Sequence, residues 1–179
     1  ELIKKNNITY ISGNSRVDNY DTLLEEINNI NPTHIVSFIG RTHGIIDDKI
    51  YSTIDYLEQE GKLKENINDN LFSPLQLALL CNERNIHYTY LGTGCIYTYD
   101  ENHKMGDLNT GFTENDIPNF KGSAYSTVKG YTDQIIRFNP NVLTLRISKK
   151  KNENVTGSIL IWAIIILTPL VSFIEQPWQ

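Results

Sequence analysis

Apolar and polar residues alternate along this chain in blocks of two kinds. Short β-type runs occupy residues 8–11 (Ile-Thr-Tyr-Ile), 33–39 (Thr-His-Ile-Val-Ser-Phe-Ile), 86–91 and 142–147. Between the first two, Leu23, Leu24, Ile27 and Ile30 recur at helical spacing. This predicts a helix over 21–30, with Asp21 placed to cap its start and Pro32 just beyond its end. A polar helical stretch follows over 53–70. An apolar one over 71–82 carries Leu75, Leu77, Ala78, Leu79 and Leu80, and Pro74 within it predicts a kink or a helix start near Ser73. A further helix is predicted over 125–138, after a Gly/Asp/Asn-rich loop at about 100–120. Strands alternating with helices imply βαβ units, so the predicted fold class is α/β with a parallel, Rossmann-like sheet and flanking helices. Polar segments at 13–18, 40–44 and 92–97 each follow a strand, at the carboxyl edge where such sheets bind ligands.

The last block breaks the rhythm. Residues 149–154 are mostly charged, and 155–174 are almost wholly apolar with Pro169 inside. That run is long enough to span a bilayer as a helix, with lysines on its N-terminal side. It also suits a core helix or strand pair broken at Thr168-Pro169, or an altered tail, and the three readings stay open. The chain therefore divides into 1–148, the α/β part, and 149–179, a divergent apolar tail.

With 179 residues, a net charge of -5 and a pI near 5.3, the chain suits one domain and does not suit a general nucleic-acid binder, which carries a basic patch. Cys81 and Cys95 form no Cys-x-x-Cys pair, and His34, His43, His87 and His103 are scattered, so no metal site is expected. No apolar signal core opens the sequence, which points to a cytoplasmic protein. The first residue is Glu1 and not Met, as in a fragment or a processed form.

The candidate chemistry lies in Leu91-Gly92-Thr93-Gly94-Cys95-Ile96-Tyr97 and Gly122-Ser123-Ala124-Tyr125-Ser126-Thr127-Val128-Lys129. Tyr125 and Lys129 stand four apart and so share a helix face. A phenol beside an ammonium ionises more readily, and the Thr93 hydroxyl is placed to bind a carbonyl oxygen. These groups together describe a proton-donating site for carbonyl reduction, although a Tyr and a Lys also fall four apart by chance. Cys81, within an apolar helix, reads as a core residue.

These segments, with Gly111-Phe112-Thr113-Glu114-Asn115-Asp116-Ile117-Pro118-Asn119-Phe120, resemble the extended short-chain dehydrogenase/reductases. More narrowly they resemble the nucleotide-rhamnose synthase epimerase/reductases of plants and large viruses, and they are similar to bacterial dTDP-4-dehydrorhamnose reductases. The likeness runs over about 8–147. It implies an NADPH- or NADH-dependent conversion of a UDP- or dTDP-4-keto-6-deoxyglucose to the nucleotide-L-rhamnose, by epimerisation at C3 and C5 and reduction at C4. In that scheme Tyr125 protonates the C4 oxygen, Thr93 hydrogen-bonds it, and Lys129 lowers the Tyr125 pKa and binds the nicotinamide ribose. Cys95 falls where these enzymes place an acid/base cysteine; its bland reading is a small buried hydrophobe. Gly40, Arg41 and Thr42 match the segment that passes the cofactor. Arg16 falls near the adenine, where its fork suits a 2′-phosphate, and a solvated surface arginine is the alternative. Asn70 matches an Asn of the central helix.

The chain departs from the resemblance twice. No Gly-x-x-Gly-x-x-Gly loop precedes 8–11, so the N-terminal βα unit is expected to be missing, and the tail replaces the substrate-binding elements. Two further readings follow: a catalytically inactive remnant or scaffold, membrane-tethered or not, and a reductase of another nucleotide 4-keto-6-deoxy sugar. A homo-oligomer is compatible with all of them.

Overall fold

The structure is a computed structural model that describes residues 9–147 and 170–174. In chain order its principal elements are β1 (Thr9–Gly13), α1 (Tyr20–Ile30), β2 (His34–Ser37), β3 (Gly44–Ile46), β4 (Lys49–Tyr51), α2 (Leu63–Ile67), α3 (Ser73–Glu83), β5 (His87–Thr93), α4 (Ala124–Ile136), β6 (Val142–Ile147) and β7 (Leu170–Ile174). Five of the strands form one sheet in the order β1-β7-β2-β5-β6, with every neighbouring pair parallel. The Rossmann-like α/β reading holds.

Handedness explains where the helices go. The connections β1→β2, β2→β5 and β5→β6 all step in one direction across the sheet, and right-handed crossovers then place their helices on one face. The core agrees. Leu23 and Ile27 of α1, Leu77, Ala78, Leu80 and Cys81 of α3, and Ile136 of α4 join Ile35, Tyr88 and Tyr90 of the strands in one buried cluster. The period of two within β2 and β5 puts Ile35, Ser37, Tyr88 and Tyr90 on this face, all fully buried.

The element boundaries follow local chemistry. Helix α1 is capped by Asn19, whose side chain accepts from Thr22 N, and not by Asp21, which falls in the first turn. The helix ends at Asn31 in the left-handed conformation (φ 49°), a usual C-terminal stop, just before Pro32. The polar stretch 53–70 is only partly helical. It opens with a 3-10 turn (Ile54–Tyr56), and α2 begins at Leu63. A π-type turn, Asn68–Phe72, then joins α2 to α3. Pro74 sits in the first turn of α3, where its missing N–H costs least.

The sequence reading missed the β3–β4 hairpin. Its turn is Asp47-Asp48, both at positive φ (46° and 63°), as a two-residue hairpin of this twist requires. Of the apolar tail, 170–174 form β7, which pairs with β1 on one side and β2 on the other. The remaining tail residues, 149–169 and 175–179, lie outside the described residues. Among the described residues no helix is long and apolar enough to cross a membrane.

Gly44, at the start of β3, packs flat against the Tyr56 ring, and a Cβ there would fall inside it. The ring has no free swing, because its hydroxyl is held by Glu65 and by Lys62 at 2.7 Å. Gly44→Ala is expected to lower the unfolding free energy by about 1–3 kcal/mol, the range for an overpacked site, read from urea denaturation midpoints.

Candidate functional site

Strand β5 ends at Thr93, and the chain turns at once through a 3-10 turn, Gly94–Ile96. The Thr93 hydroxyl accepts from Cys95 N at 3.1 Å, which fixes the turn and leaves Cys95 exposed. Helix α4 begins opposite. Ser123 caps it by accepting from Ser126 N at 3.0 Å. Tyr125, 6% exposed, lies in the first turn, with its phenol near the Thr93 hydroxyl and Cys95. The sequence-predicted Thr93, Cys95 and Tyr125 are therefore brought together at the carboxyl end of β5.

The electrostatics differ from the simple Tyr–Lys picture. Burial pushes the Tyr125 phenol up to about 12, with a smaller push from Cys95 and a partial offset from Thr93. Lys129 is buried one turn further along α4, and burial pulls its ammonium down to about 7 against a smaller opposing pull from Asp133. Its amine donates to the Tyr90 hydroxyl and lies over the Tyr90 ring, 4.5 Å from the centroid. In this arrangement the acidity of Tyr125 is set by burial, and Lys129 is engaged by β5. Tyr90, itself held protonated by burial, is a site residue that sequence reasoning missed. Its only signal was an inward position on an apolar strand.

Beside Lys129 lies a buried amide. Asn70 projects from the π-type turn, donating to Arg41 O at 3.1 Å and to Asn66 Oδ1 at 3.0 Å. Its own Oδ1 is buried with no hydrogen-bond partner. Gly40, just past β2, faces that atom. It holds φ 148°, and a Cβ there would come 2.7 Å from Asn70 Oδ1 and 3.7 Å from Lys129 Nζ. Only glycine fits this approach. The Thr132 hydroxyl closes the seam by donating to Asn70 O at 2.6 Å.

The two arginines read as cofactor contacts are taken up by carboxylates. Arg16 forms a two-pronged pair with Asp18 (2.9 and 2.8 Å) and reaches Asp69 at 3.7 Å. Arg41 pairs through Nε with Asp69 at 2.7 Å and Glu65 at 2.8 Å. Thr42 hydrogen-bonds the neighbouring His43 at 3.3 Å. On the other flank, Phe112 stacks on Tyr97 (4.3 Å) and His103 (4.0 Å). His103 lies between Asp100 at 2.8 Å and Asp116 at 3.5 Å. Arg146 makes a two-pronged pair with the buried Asp133. A cavity of about 660 Å³, lined in part by Gly94, Tyr97, Phe112, Arg137 and Arg146, opens between this loop and β6.

The buried amine makes stability depend on pH with a definite sign. Folded, Lys129 titrates near 7; unfolded, it returns toward 10.5. Between these values the unfolded chain binds more protons, so folding stability rises with pH. Cys81, raised from 9.0 to about 12 by burial, works against the trend and begins to offset it near pH 9. Urea unfolding free energy is expected to rise from pH 7 to 8.5, by at most about 1.4 kcal/mol per pH unit. Lys129→Met is expected to flatten that rise.

No protein-family model matches the chain. The crystal structure of the L780 UDP-rhamnose synthase of Acanthamoeba polyphaga mimivirus is 50% identical and superposes with a TM-score of 0.72, covering 82% of this chain and 49% of that one. The bifunctional dTDP-4-dehydrorhamnose 3,5-epimerase/dTDP-4-dehydrorhamnose reductase of Arabidopsis thaliana is 30% identical over 157 residues, covering 88% of this chain and 49% of that protein. The dTDP-4-dehydrorhamnose reductase of Bacillus anthracis, solved in complex with NADP, shares the fold at 15% identity (TM-score 0.55, 74% of this chain and 40% of that one). The chain thus spans about half the length of the first two relatives. Over the stretch that aligns, the chain is similar to nucleotide-rhamnose synthase epimerase/reductases.

Proposed function

We propose that this chain carries the catalytic centre of an NAD(P)H-dependent epimerase/reductase that converts a nucleotide 4-keto-6-deoxyglucose to the nucleotide-L-rhamnose. The observation that carries the reading is the meeting of Thr93, Cys95 and Tyr125 at the carboxyl end of β5, with Lys129 buried on the same helix as Tyr125. The 50% identity to a protein described as a UDP-rhamnose synthase favours the uridine nucleotide.

Each group has the property its role needs. Reduction of a ketone leaves an alkoxide at C4 that must receive a proton. A phenol held near 12 stays protonated at neutral pH and is available as that donor. The Thr93 hydroxyl, near the phenol, is placed to hold the same oxygen. Protons α to a ketone are acidic enough for a thiolate to remove, and Cys95 is exposed beside Tyr125, open to a substrate at C3 or C5.

The residues also fit a nicotinamide cofactor. The unpartnered, buried Oδ1 of Asn70, the space kept open by Gly40 and the buried amine of Lys129 form a cradle with an acceptor and a donor, suited to a ribose hydroxyl or a carboxamide. When bound, the cofactor supplies hydride to C4. Arg16 pairs with Asp18 through Nε and Nη2, and its Nη1 donors are the ones that would meet a 2′-phosphate.

Supplied with UDP-4-keto-6-deoxyglucose and NADPH in D2O, the chain is expected to oxidise NADPH and take up deuterium at C3 and C5. Tyr125→Phe should lower NADPH oxidation by about 10²–10⁴-fold, the usual range for a lost general acid, with deuterium uptake retained. Cys95→Ser should lower deuterium uptake instead. Neither cofactor oxidation nor deuterium uptake by the parent chain would refute the reading.

A further inference from the structure

We propose that Glu58 is a positioning residue that sets the place of Tyr125, an inference that rests on the proposed reductase reading for its kinetic consequence. Its carboxylate reaches across from the segment before α2 and accepts two backbone N–H bonds at the start of α4. Oε2 takes the amide of Ala124 at 2.8 Å, and Oε1 takes the amide of Tyr125 itself at 2.9 Å.

The first amides of a helix have no partner within it. In α4, Ser123 satisfies Ser126 N through its hydroxyl and Thr127 N through its carbonyl, which leaves the Ala124 and Tyr125 amides. Glu58 supplies both with one rigid group, and its negative charge faces the positive end of the helix dipole. The partners lie 66 and 67 residues apart in sequence, so the bond fixes tertiary position and not local conformation.

Glu58 is exposed, but the chain just before it is anchored. Tyr56 and Leu57, 3% and 1% exposed, pack in one cluster with Tyr125. Tyr56 is further held by Glu65 and Lys62. The Glu58 backbone is thereby fixed, and the carboxylate transmits that position to the Tyr125 backbone. With the Tyr125 amide held by Glu58 and its ring packed in the cluster with Tyr56 and Leu57, the backbone that carries the phenol has little freedom to shift. The side chain touches no reacting atom. Its effect is on the orientation of the donor, which governs the chemical step more than substrate affinity.

The test compares Glu58→Ala, Glu58→Gln and the parent chain, using steady-state kinetics with UDP-4-keto-6-deoxyglucose and NADPH, and amide hydrogen exchange at Ala124 and Tyr125. In Glu58→Ala, kcat is expected to fall about tenfold or more, with KM for the keto sugar within about threefold, since misplacing a reacting group acts on kcat. Exchange at the two amides should accelerate by about fivefold or more, as for a lost cap. Glu58→Gln keeps one acceptor oxygen and nearly the same shape, so it should lie between the two; it also serves if the alanine variant fails to fold. Added acetate should restore part of the kcat of Glu58→Ala. Unchanged kcat, or a rise in KM at constant kcat, overturns the proposal. If the parent chain turns over no keto sugar, the function reading fails separately, and exchange decides the clamp alone: unchanged protection at Ala124 and Tyr125 in both variants overturns it.

Discussion

An ammonium ion removed from water costs several kcal/mol unless something answers its charge, and this domain buries one at the junction of α4 and the sheet. Lys129 is 4% exposed, with the Tyr90 hydroxyl and ring against it and Asp133 one turn away. That placement fixes the rotation of α4 about its axis. Once Lys129 faces β5, Tyr125, four residues earlier, must share the face, which carries it to the carboxyl end of the strand where Thr93 stands. Asp133, four residues later, is turned toward Arg146 of β6 by the same geometry. The position of Tyr125, the buried amine and the link to the next strand are consequences of one helical face docked in one way.

The same burial decides the acidity of the site. A single positive charge lowers a phenol's pKa only where it is both present and close. Here the amine is partly neutral near pH 7 and engaged by Tyr90, while the phenol is itself desolvated. Desolvation wins, and the proton stays on Tyr125. For the proton-donating role proposed for Tyr125, this is the useful direction. The polar seam beside it repeats the logic: Asn70 spends its two donors on Arg41 and Asn66 and keeps a bare acceptor facing Gly40.

Much of this was legible in the sequence, and what was not has a common physical cause. The period of β5 and the four-residue step from Tyr125 to Lys129 depend on residues close along the chain, and both were readable. The cap of α1 was misplaced by two residues because Asn19 and Asp21 are both competent caps and only backbone geometry chooses between them. The β3–β4 hairpin was missed because its turn uses Asp47-Asp48 at positive φ without a glycine to mark it. The contacts Lys129–Tyr90, Glu58–Tyr125 and Arg41–Asp69 join residues 39, 67 and 28 positions apart. No periodicity encodes such pairs; they exist only after the sheet and helices have docked.

Sheet topology separates what the site needs from what surrounds it. β2 and β5 pair directly, from His34↔His87 to Ser37↔Tyr90, and β5 pairs with β6 from Tyr88↔Val142 to Thr93↔Ile147. These two ladders set the relative heights of Gly40, Thr93 and Arg146, and α4 is docked on β5 by Lys129. β7 lies on the far side of β2, between it and β1. It satisfies backbone groups of both neighbours, and it touches no ladder that aligns Gly40 with Thr93. The register of the site is therefore carried by the three adjacent strands β2, β5 and β6. The slot beyond β2 contributes to stability by pairing an otherwise open edge, and leaves the placement of Tyr125 over Thr93 to the α4–β5 contact.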